Sequence, residues 1–425
     1  MKKNLYIVIA LLLSLSLVAC SKSPAPQENT DITFVEKPDT LPTSGWVTSN
    51  TSVEQFAMTD TGVFYNFNNC LYYLDTATGY SVGLCSKPNC LHGESESNAD
   101  LHSCDAYVDG SINMMFCQDD ALYYSVLKGN DGYVLYARNL DGTGLREVAT
   151  LCSPYISNDT STQISSWVFA YGDLYYAVQV YQIVVGENNT EMHTNTTFVL
   201  AKFDLSTGRE EELLRSEDEL IALHGANDNM AIIYMTHVPT EEEQNRSDYS
   251  EYMKQFPAYL RLWHKESGGV STLYEMDKST TGSFLGFAGG KMHMFSGSGT
   301  PIYAYDLATG VFGKSDLPED VNRIWSEKYA GATWKGYYDL ETGSYYTNEY
   351  DTMPLPAGTD EFGASPKCFG QEGFIVYEVY SKDRRGVFQN YVYFPFERLD
   401  DGIQLSDRIV FMQTGKDSQI LQPEA

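Results

Sequence analysis

Three cysteines and a histidine lie close together in the first quarter of the sequence, and their types and spacing suit a metal site. Cys85, Cys90, His92 and Cys104 form the pattern Cys-x4-Cys-x-His-x11-Cys. Three thiolates and one imidazole are the ligand set of a tetrahedral structural zinc site. The pattern therefore predicts a structural zinc ion as the cofactor. A catalytic metal is not expected, because four protein ligands leave no open coordination position for a substrate.

The same residues allow a second interpretation, a disulfide bond between any two of Cys85, Cys90 and Cys104. Disulfides persist in exported proteins, and the first residues of this chain predict export, as described below. In either case the cluster would cross-link a long insertion, residues 85–111, that lacks a core of its own. The residues leave both interpretations open, and no cofactor other than zinc is expected.

The elements that must position this insertion are β-hairpins, which repeated turn motifs indicate. Residues 203–208, 305–310 and 338–343 share an aromatic-Asp-Leu start and a Thr-Gly end, and residues 74–79 are a looser copy. In each motif we expect the Asp side chain to accept a backbone N–H two residues on and the Gly to adopt a positive φ. Such loops join antiparallel strands. The predicted turn residues are Asp75, Gly79, Asp204, Gly208, Asp306, Gly310, Asp339 and Gly343.

The strand-like runs between the turns occur in groups of four, each rich in aromatic and aliphatic residues. A four-stranded meander with this period is typical of a propeller blade. One blade cannot bury both of its faces, so blades must stack around an axis. We predict an all-β fold, a β-propeller of seven four-stranded blades over residues 46–415, with six or eight blades as alternatives because the sixth group is short. Insertions are expected at residues 85–111, 181–197 and 238–257, and a polar tail at residues 416–425.

The first residues carry the features of an export signal. Lys2 and Lys3 precede the apolar run of residues 5–18, which is too short to favour a transmembrane helix. The Leu-Val-Ala-Cys sequence that ends at Cys20 resembles a bacterial lipobox. This resemblance implies that residues 1–19 are a lipoprotein signal peptide and that Cys20 becomes the lipid-modified first residue of the mature chain.

Residues 20–45 are rich in Ser, Pro, Thr and charged residues. Such a composition cannot bury enough apolar surface to become ordered by itself, so it predicts a flexible stalk between membrane and domain. The expected location is the outer face of the cell membrane, with the membrane itself as a partner through the lipid on Cys20.

Two further resemblances concern the domain itself. The repeating pattern over residues 46–415 resembles that of bacterial β-propeller lipoproteins with TolB-like or quinoprotein-like blades. This likeness concerns topology, implies a propeller and transfers no functional residues. Residues 84–92 resemble the Leu-Cys-x-x-Pro-x-Cys-x-His segments of exported lipoproteins from Gram-positive anaerobes. That likeness implies that the cluster acts as a unit, without indicating what it binds.

The strongly acidic composition argues against nucleic acid as a partner. The formal net charge is −29, and loss of residues 1–19, which contain two lysines and no acids, makes it more negative still. Nucleic-acid binding requires a basic surface that neutralises phosphates. The acidity is instead typical of a soluble surface outside the cell, and we expect a monomer.

No catalytic signature stands out in the sequence. It contains no phosphate-binding loop and no His-Glu-x-x-His motif, and its one Gly-x-Ser-x-Gly match, residues 79–83, leads from a predicted turn into a strand-like run, whereas a nucleophile elbow leads from a strand into a helix. The predicted function is therefore a binding or scaffold module for a glycan, peptide or protein ligand. The alternative is an exported hydrolase or lyase that acts on polysaccharide. Two converging carboxylates in an axial cavity would favour the alternative, and a lining of ordinary polar and aromatic groups would favour binding.

Overall fold

The computed structural model describes residues 32–50, 56–88, 90, 92, 101–128, 132–157, 160–185, 191–276, 283–295, 301–332, 336–347, 355, 357–370, 372–382, 385–399, 402–415 and 418–422. The predicted signal peptide at residues 1–19, Cys20 and stalk residues 20–31 lie outside this part. Within it, no helix combines the length and apolar character that crossing a bilayer requires.

The chain forms seven antiparallel sheets, and each takes its main strands from one continuous stretch of sequence. We number the sheets as blades I to VII in chain order. Blade I contains β2 Phe56–Met58, β3 Gly62–Phe67, β4 Cys70–Asp75 and β5 Ser81–Gly83. Blade II contains β6 Ile112–Gln118, β7 Ala121–Leu127, β8 Tyr133–Asn139 and β9 Arg146–Leu151. Blade III contains β10 Thr160–Ala170, β11 Asp173–Val185, β12 Glu191–Asp204 and β13 Arg209–Ser216.

The remaining blades follow the same order. Blade IV contains β14 Glu219–Ala226, β15 Met230–His237, β16 Ala258–His264 and β17 Val270–Met276, with β1 Val47–Thr48 added beside β14. Blade V contains β18 Ser283–Ala288, β19 Lys291–Phe295, β20 Ile302–Asp306 and β21 Phe312–Lys314. Blade VI contains β22 Val321–Ile324, β23 Tyr329–Ala332, β24 Gly336–Asp339 and β25 Ser344–Thr347. Blade VII contains β26 Glu361–Phe369, β27 Gly373–Lys382, β28 Arg385–Leu399, β30 Ile409–Gly415 and β31 Gln419–Ile420, and β29 Gly402–Leu405 pairs with β28.

The first strands of the blades lie nearest the axis, because they contact one another around the ring. Contacts of this kind join β2 with β6, β10 with β14, β14 with β18, β18 with β22, and β26 with β2. The prediction of an all-β propeller with seven four-stranded blades is confirmed.

The apolar cores lie between neighbouring blades, and strand alternation supplies both faces. On β7, Leu122, Tyr124 and Val126 pack toward blade I, whereas Tyr123 packs into the core shared with blade III. A blade with two apolar faces is stable only when both neighbours cover it. This explains why the strands carry aromatic and aliphatic residues at consecutive positions.

The repeated Asp-to-Gly motifs all join the third strand of a blade to its fourth. At the blade I corner, Asp75 Oδ1 accepts the backbone N–H groups of Ala77 and Thr78 at 2.9 and 3.0 Å. Asp204 and Asp339 each accept the corresponding two N–H groups, and Asp306 Oδ1 accepts the N–H of Thr309 at 2.8 Å. The closing glycines have left-handed backbone conformations, with φ of 74° at Gly79, 68° at Gly208, 71° at Gly310 and 71° at Gly343.

Residues 32–45, which we expected to belong to the flexible stalk, are packed against the propeller. Phe34 pairs with Val270 on the last strand of blade IV. Leu41 and Trp46 are buried in the core between blades IV and V, where Trp46 stacks on Phe287 at 5.4 Å between ring centroids. The stalk prediction relied on average polarity, and it overlooked these few apolar residues because they bind a surface already formed by other strands.

The segment then enters the axial channel and ends against blade III. Strand β1 pairs with β14 through Val47 and Ala226. The backbone N–H of Asn50 donates to the carbonyl of Trp167 at 2.7 Å, and the N–H of Trp167 donates back at 2.9 Å. Residues 47–50 therefore form part of the wall of the channel.

The predicted polar tail also contacts the propeller where the structure describes it. Strand β31 pairs with β30. The amide of Gln422 bonds to both backbone groups of Ser81, with Nε2 donating to its carbonyl at 2.7 Å and Oε1 accepting its N–H at 3.0 Å. The tail thus joins blade VII to blade I, where the ring closes.

The three predicted insertions have different structures. Residues 181–197 extend the β11–β12 hairpin, in which Gln182 pairs with Thr194. Residues 238–257 contain two short helices, Glu241–Gln244 and Tyr249–Tyr252, and a 3-10 turn, Met253–Gln255. The first insertion, residues 85–111, carries the cysteine and histidine cluster and is described in part.

Candidate functional site

The four predicted ligands come together where the first insertion leaves blade I. Cys85 follows β5, and Cys104 follows a 3-10 turn, Leu101–Ser103, whose Leu101 carbonyl accepts the Cys104 N–H at 2.9 Å. Beyond Cys104 the chain runs along blade I, because the Leu71 N–H donates to the Ala106 carbonyl at 2.9 Å. The insertion is thus attached to a blade on both sides of the cluster.

The geometry of the cluster suits a single metal ion. One ligand atom from each of Cys85, Cys90, His92 and Cys104 lies within 4.8 Å of the others. The Sγ of Cys104 is 3.6 Å from the Nδ1 of His92. Ligands at about 2.0–2.3 Å from a tetrahedral zinc ion lie roughly 3.3–3.8 Å apart, so small adjustments would bring all four to one ion. Cys104 is buried and the other three are half-buried.

Backbone N–H groups favour the thiolate form at Cys85. Burial opposes ionisation of this thiol, but the backbone N–H groups of Lys87 and Asp105 and the thiols of Cys104 and Cys90 outweigh burial, so the pKa of Cys85 is lowered. At Cys104 burial dominates and raises the pKa, although the Ala106 N–H acts in the opposite direction. A cation between the sulfurs would stabilise further thiolates, because its charge lowers the pKa of coordinating thiols.

The position of His92 depends on two neighbours from blade I. Its backbone has a left-handed conformation, with φ of 46°, and its carbonyl accepts the Tyr72 hydroxyl at 2.6 Å. The imidazole lies directly over Gly83, where a Cβ atom would be 2.8 Å from the His92 Cγ. Any side chain at residue 83 would therefore displace the ring.

Arg138 from blade II fixes both ends of the cluster, and sequence analysis missed it. Its side chain is fully buried. Nη1 donates to the carbonyl of Leu84 at 3.3 Å and Nη2 to the carbonyl of Asp105 at 2.7 Å. The only sequence signal is an arginine that follows five apolar or aromatic residues of β8, which does not identify its partners.

A fourth thiol, that of Cys70, lies beside the cluster. Burial raises the pKa of the Cys70 thiol to about 11, and a hydrogen bond with the Cys104 thiol acts in the opposite direction. All seven cysteines in the described part carry free thiols. The cluster therefore gathers sulfur and imidazole ligands without joining any pair of them covalently.

A second candidate site is a cavity of about 310 Å³ on the propeller axis. The first strands of blades I, II, III, VI and VII surround it, and β1 lies beside them. The described lining residues are mostly apolar or aromatic, with two thiols and a few polar groups: Val47, Thr48, Asn50, Phe56, Ala57, Met58, Met115, Phe116, Cys117, Trp167, Val168, Phe169, Arg323, Ile324, Trp325, Lys367 and Cys368. Two are cationic, Arg323 and Lys367, and none is an aspartate or glutamate.

Arg323 has a neutral partner in this cavity. Its Nη2 donates to the Asn50 Oδ1 at 2.9 Å, and no carboxylate in the described part forms an ion pair with it. Lys367 lies over the Tyr377 ring, with Nζ 5.0 Å from the centroid. The aromatic wall includes Phe116, which stacks on Phe169 at 4.5 Å between centroids.

An adjoining cavity of about 580 Å³ opens between blades II and III and shares Trp167 with the axial one. Its described lining is uncharged and rich in hydroxyl, amide and aromatic groups: Asn113, Met114, Leu127, Tyr133, Ser161, Thr162, Gln163, Ile164, Ser165, Trp167 and Tyr181. Two donors along this lining, Asn113 Nδ2 and Trp167 Nε1, have no acceptor among the described residues.

None of the predicted turn residues belongs to the cysteine and histidine cluster or lines the two cavities described above. Asp75, Asp204, Asp306 and Asp339 each lie at a corner of a different blade, where their carboxylates accept backbone N–H groups. Cys20 lies outside the described residues.

Comparison with known proteins identifies no family. No protein-family model matches the chain, and no curated protein matches it. Among solved structures, the chain is similar to an oligogalacturonate lyase from Vibrio parahaemolyticus, with 12% identity and a TM-score of 0.46 over 79% of this chain and 88% of that one. It is also similar to a puromycin-hydrolysing peptidase from Mycobacterium tuberculosis (11% identity, TM-score 0.46, 87% of this chain and 57% of that one). A third similar structure is TolB from Acinetobacter baumannii (12% identity, TM-score 0.33, 82% and 80%). At these values the similarities assign no activity to this chain.

Proposed function

We propose that the protein is an exported β-propeller, anchored by a lipid on Cys20 to the outer face of the cell membrane, that binds a glycan, peptide or protein ligand through its axial cavity. The observation that carries this proposal is the lining of that cavity. Aromatic rings, a few polar groups and two cations surround the space, and no carboxylate in the described part reaches it. Such a lining supplies contact surface and orienting hydrogen bonds, which is what a binding pocket requires.

The same observation argues against the alternative of a carboxylate-dependent hydrolase. Glycoside hydrolysis commonly needs a pair of Asp or Glu side chains about 5–10 Å apart. Neither the axial cavity nor the adjoining one has an acidic residue in its described lining. A lyase that uses another base is tested by the experiment below.

The decisive experiment is a binding screen with the detergent-solubilised mature protein. Arrays of glycans and peptides are probed with wild type and with Trp167→Ala, and each bound glycan is then incubated with the protein and analysed for new chain ends. Binding without cleavage, weakened by the substitution, supports the proposal. New reducing or unsaturated ends would establish the polysaccharide hydrolase or lyase instead. Absence of binding on both the glycan and the peptide array would refute a glycan- or peptide-binding site.

We propose a structural zinc ion at Cys85, Cys90, His92 and Cys104. A disulfide would use two sulfurs and give the imidazole no role, whereas zinc uses all four side chains. The ion would connect the two ends of an insertion that crosses from blade I to blade II, and so would contribute to folding.

Elemental analysis with a thiol count tests this assignment. We expect about one zinc per chain, an increase of three accessible thiols on chelation from Cys85, Cys90 and Cys104, and loss of the metal in Cys104→Ser. Cys117→Ser, a cysteine outside the cluster, is the matched control and should retain the metal. Metal-free protein with a bond among Cys85, Cys90 and Cys104 would establish the disulfide.

A further inference from the structure

We infer that the axial cavity and the adjoining one together bind an oligosaccharide that carries a carboxylate, with the carboxylate at Arg323. This inference rests on the proposed binding function and names the class of ligand. The protein carries 57 acidic and 28 basic side chains, yet the described axial lining contains Arg323 and Lys367 and no acid.

Arg323 is well placed to bind a carboxylate. It is half-buried, and its one hydrogen bond, to Asn50 Oδ1, leaves other guanidinium N–H groups without a partner in the described structure. Planar guanidinium groups bind carboxylates through paired hydrogen bonds. Walls of low polarity strengthen that attraction, because they exclude the water that would screen it.

The adjoining cavity indicates what the rest of the ligand is. It continues from the axial cavity along β6 and β10 and meets it at Trp167. Its described lining offers hydroxyls and amides from Ser161, Gln163 and Asn113 beside the rings of Tyr133 and Tyr181. Uncharged hydrogen-bonding groups next to aromatic rings match sugar hydroxyls and the apolar faces of sugar rings.

The unsatisfied donors support the same assignment. Trp167 is 5% exposed, and its Nε1, like Asn113 Nδ2, has no acceptor in the described structure. Buried donors of this kind are costly unless something bonds to them. An acidic peptide would place further negative charges where this lining offers no cation, so it fits less well than a glycan with one charged unit in the axial cavity.

The experiment uses the mature protein in detergent and three sets of probes. They are uronate-containing oligosaccharides of several linkages, the same oligosaccharides after reduction of each carboxyl group to an alcohol, and acidic peptides of similar length. Binding is measured for wild type, Arg323→Gln and Arg146→Gln. Arg146 is exposed on the last strand of blade II and provides the matched control.

We expect at least one uronate oligosaccharide to bind. Carboxyl reduction or Arg323→Gln should weaken it about 10- to 100-fold, the range expected for one charged hydrogen-bonded pair, and Arg146→Gln should have no effect. Gln163→Ala should weaken the uronate and the reduced glycan by the same factor, because it removes a contact to the neutral part. Equal binding of reduced glycans, or binding of peptides alone, overturns this inference but retains the proposed function. If none of the probes binds to the wild-type protein, both this inference and the proposed binding function are overturned.

Discussion

His224 provides a residue-level link between burial and the pH dependence of stability. It lies on β14, buried to 6% exposure, with its ring stacked on Phe284 at 4.5 Å between centroids. Burial lowers its pKa from 6.5 to about 4. The folded protein therefore keeps this histidine neutral at pH values where the unfolded chain protonates it.

We expect acid to destabilise the protein through this residue. Stability from neutral His224 is complete above pH 6.5 and is lost as the pH falls toward 4, by about 3 kcal/mol in the free energy of unfolding at pH 4. In His224→Phe, denaturant unfolding from pH 7 to pH 4 should show a smaller loss than in wild type. Some acid sensitivity should remain, because burial also lowers the pKa of His293 to about 4. Equal pH profiles for wild type and variant would contradict this assignment.

Arg138 supports a second prediction at the same scale. Because its guanidinium holds the carbonyls of Leu84 and Asp105 next to the cluster, Arg138→Met should loosen the arrangement of Cys85 and Cys104. Loss of an outer contact of this kind typically costs about 10- to 100-fold in metal affinity. Competition with a zinc chelator measures it, and Arg146→Met is the control. Unchanged affinity would show that the ligands position themselves without blade II.

The candidate metal site shows which residues the sequence can identify. The four candidate ligands were predictable because they lie in one insertion with a recognisable spacing. Arg138 and Cys70 were not, because they reach the cluster from strands whose relative position depends on how blades pack. Arg323 is a similar case, since its partner Asn50 lies 273 residues away.

At the scale of elements, the cost of a positive φ can be measured at a turn glycine where an added Cβ atom meets no neighbour. Gly208 closes the blade III corner with φ of 68°, and no atom lies within 4 Å of a Cβ built there. Gly208→Ala should therefore cost only backbone strain, about 1 kcal/mol in the free energy of unfolding. Thermal or denaturant unfolding measures the loss.

Gly386 is the matched control for this turn. It also has no atom within 4 Å of a built Cβ, but its φ is not positive, so Gly386→Ala should cost less than Gly208→Ala. Equal effects would indicate that the loss arises from something other than the left-handed conformation.

Strands were predictable where a turn motif and an alternating strand pattern occur together. They were less predictable where a long-range side-chain contact, rather than a sequence pattern, stabilises the element. The sixth group is short in sequence because β23 reads Tyr-Ala-Gly-Ala, without alternating aromatic residues. The ring of Trp325 fills the space instead, and a Cβ at Gly331 would lie 2.0 Å from its Cη2. Likewise, residues 32–45 have the composition of a linker, and long-range contacts such as the burial of Leu41, the pairing at Phe34 and the hydrogen bond from Lys37 Nζ to the Tyr305 hydroxyl attach them to the propeller.

At the scale of the whole molecule, ring closure is the feature most open to test. No strand of blade I comes from the end of the chain, so the seam between blades VII and I depends on side-chain packing and on Gln422. Gln422→Ala removes both hydrogen bonds to Ser81 and should lower the free energy of unfolding by roughly 1–2 kcal/mol.

The control for the seam is Gln404→Ala, an exposed glutamine on β29 of the same blade. Urea unfolding of both variants, with hydrogen exchange at Ser81, measures the effect. Faster exchange at Ser81 in Gln422→Ala alone is the expected result, and identical behaviour of the two variants would show that packing closes the ring without this contact.

The pairing of Asn50 with Arg323 has a consequence for when the axial cavity can form. The two residues lie 273 positions apart and the cavity lining runs from Val47 to Cys368, so the pocket does not exist until most of the chain has been synthesised. A fragment that stops before blade VI would lack Arg323 and the walls from blades VI and VII, even if its early blades formed. The ability to bind a ligand in this cavity would then depend on nearly complete synthesis of the chain, because no single blade supplies the whole lining.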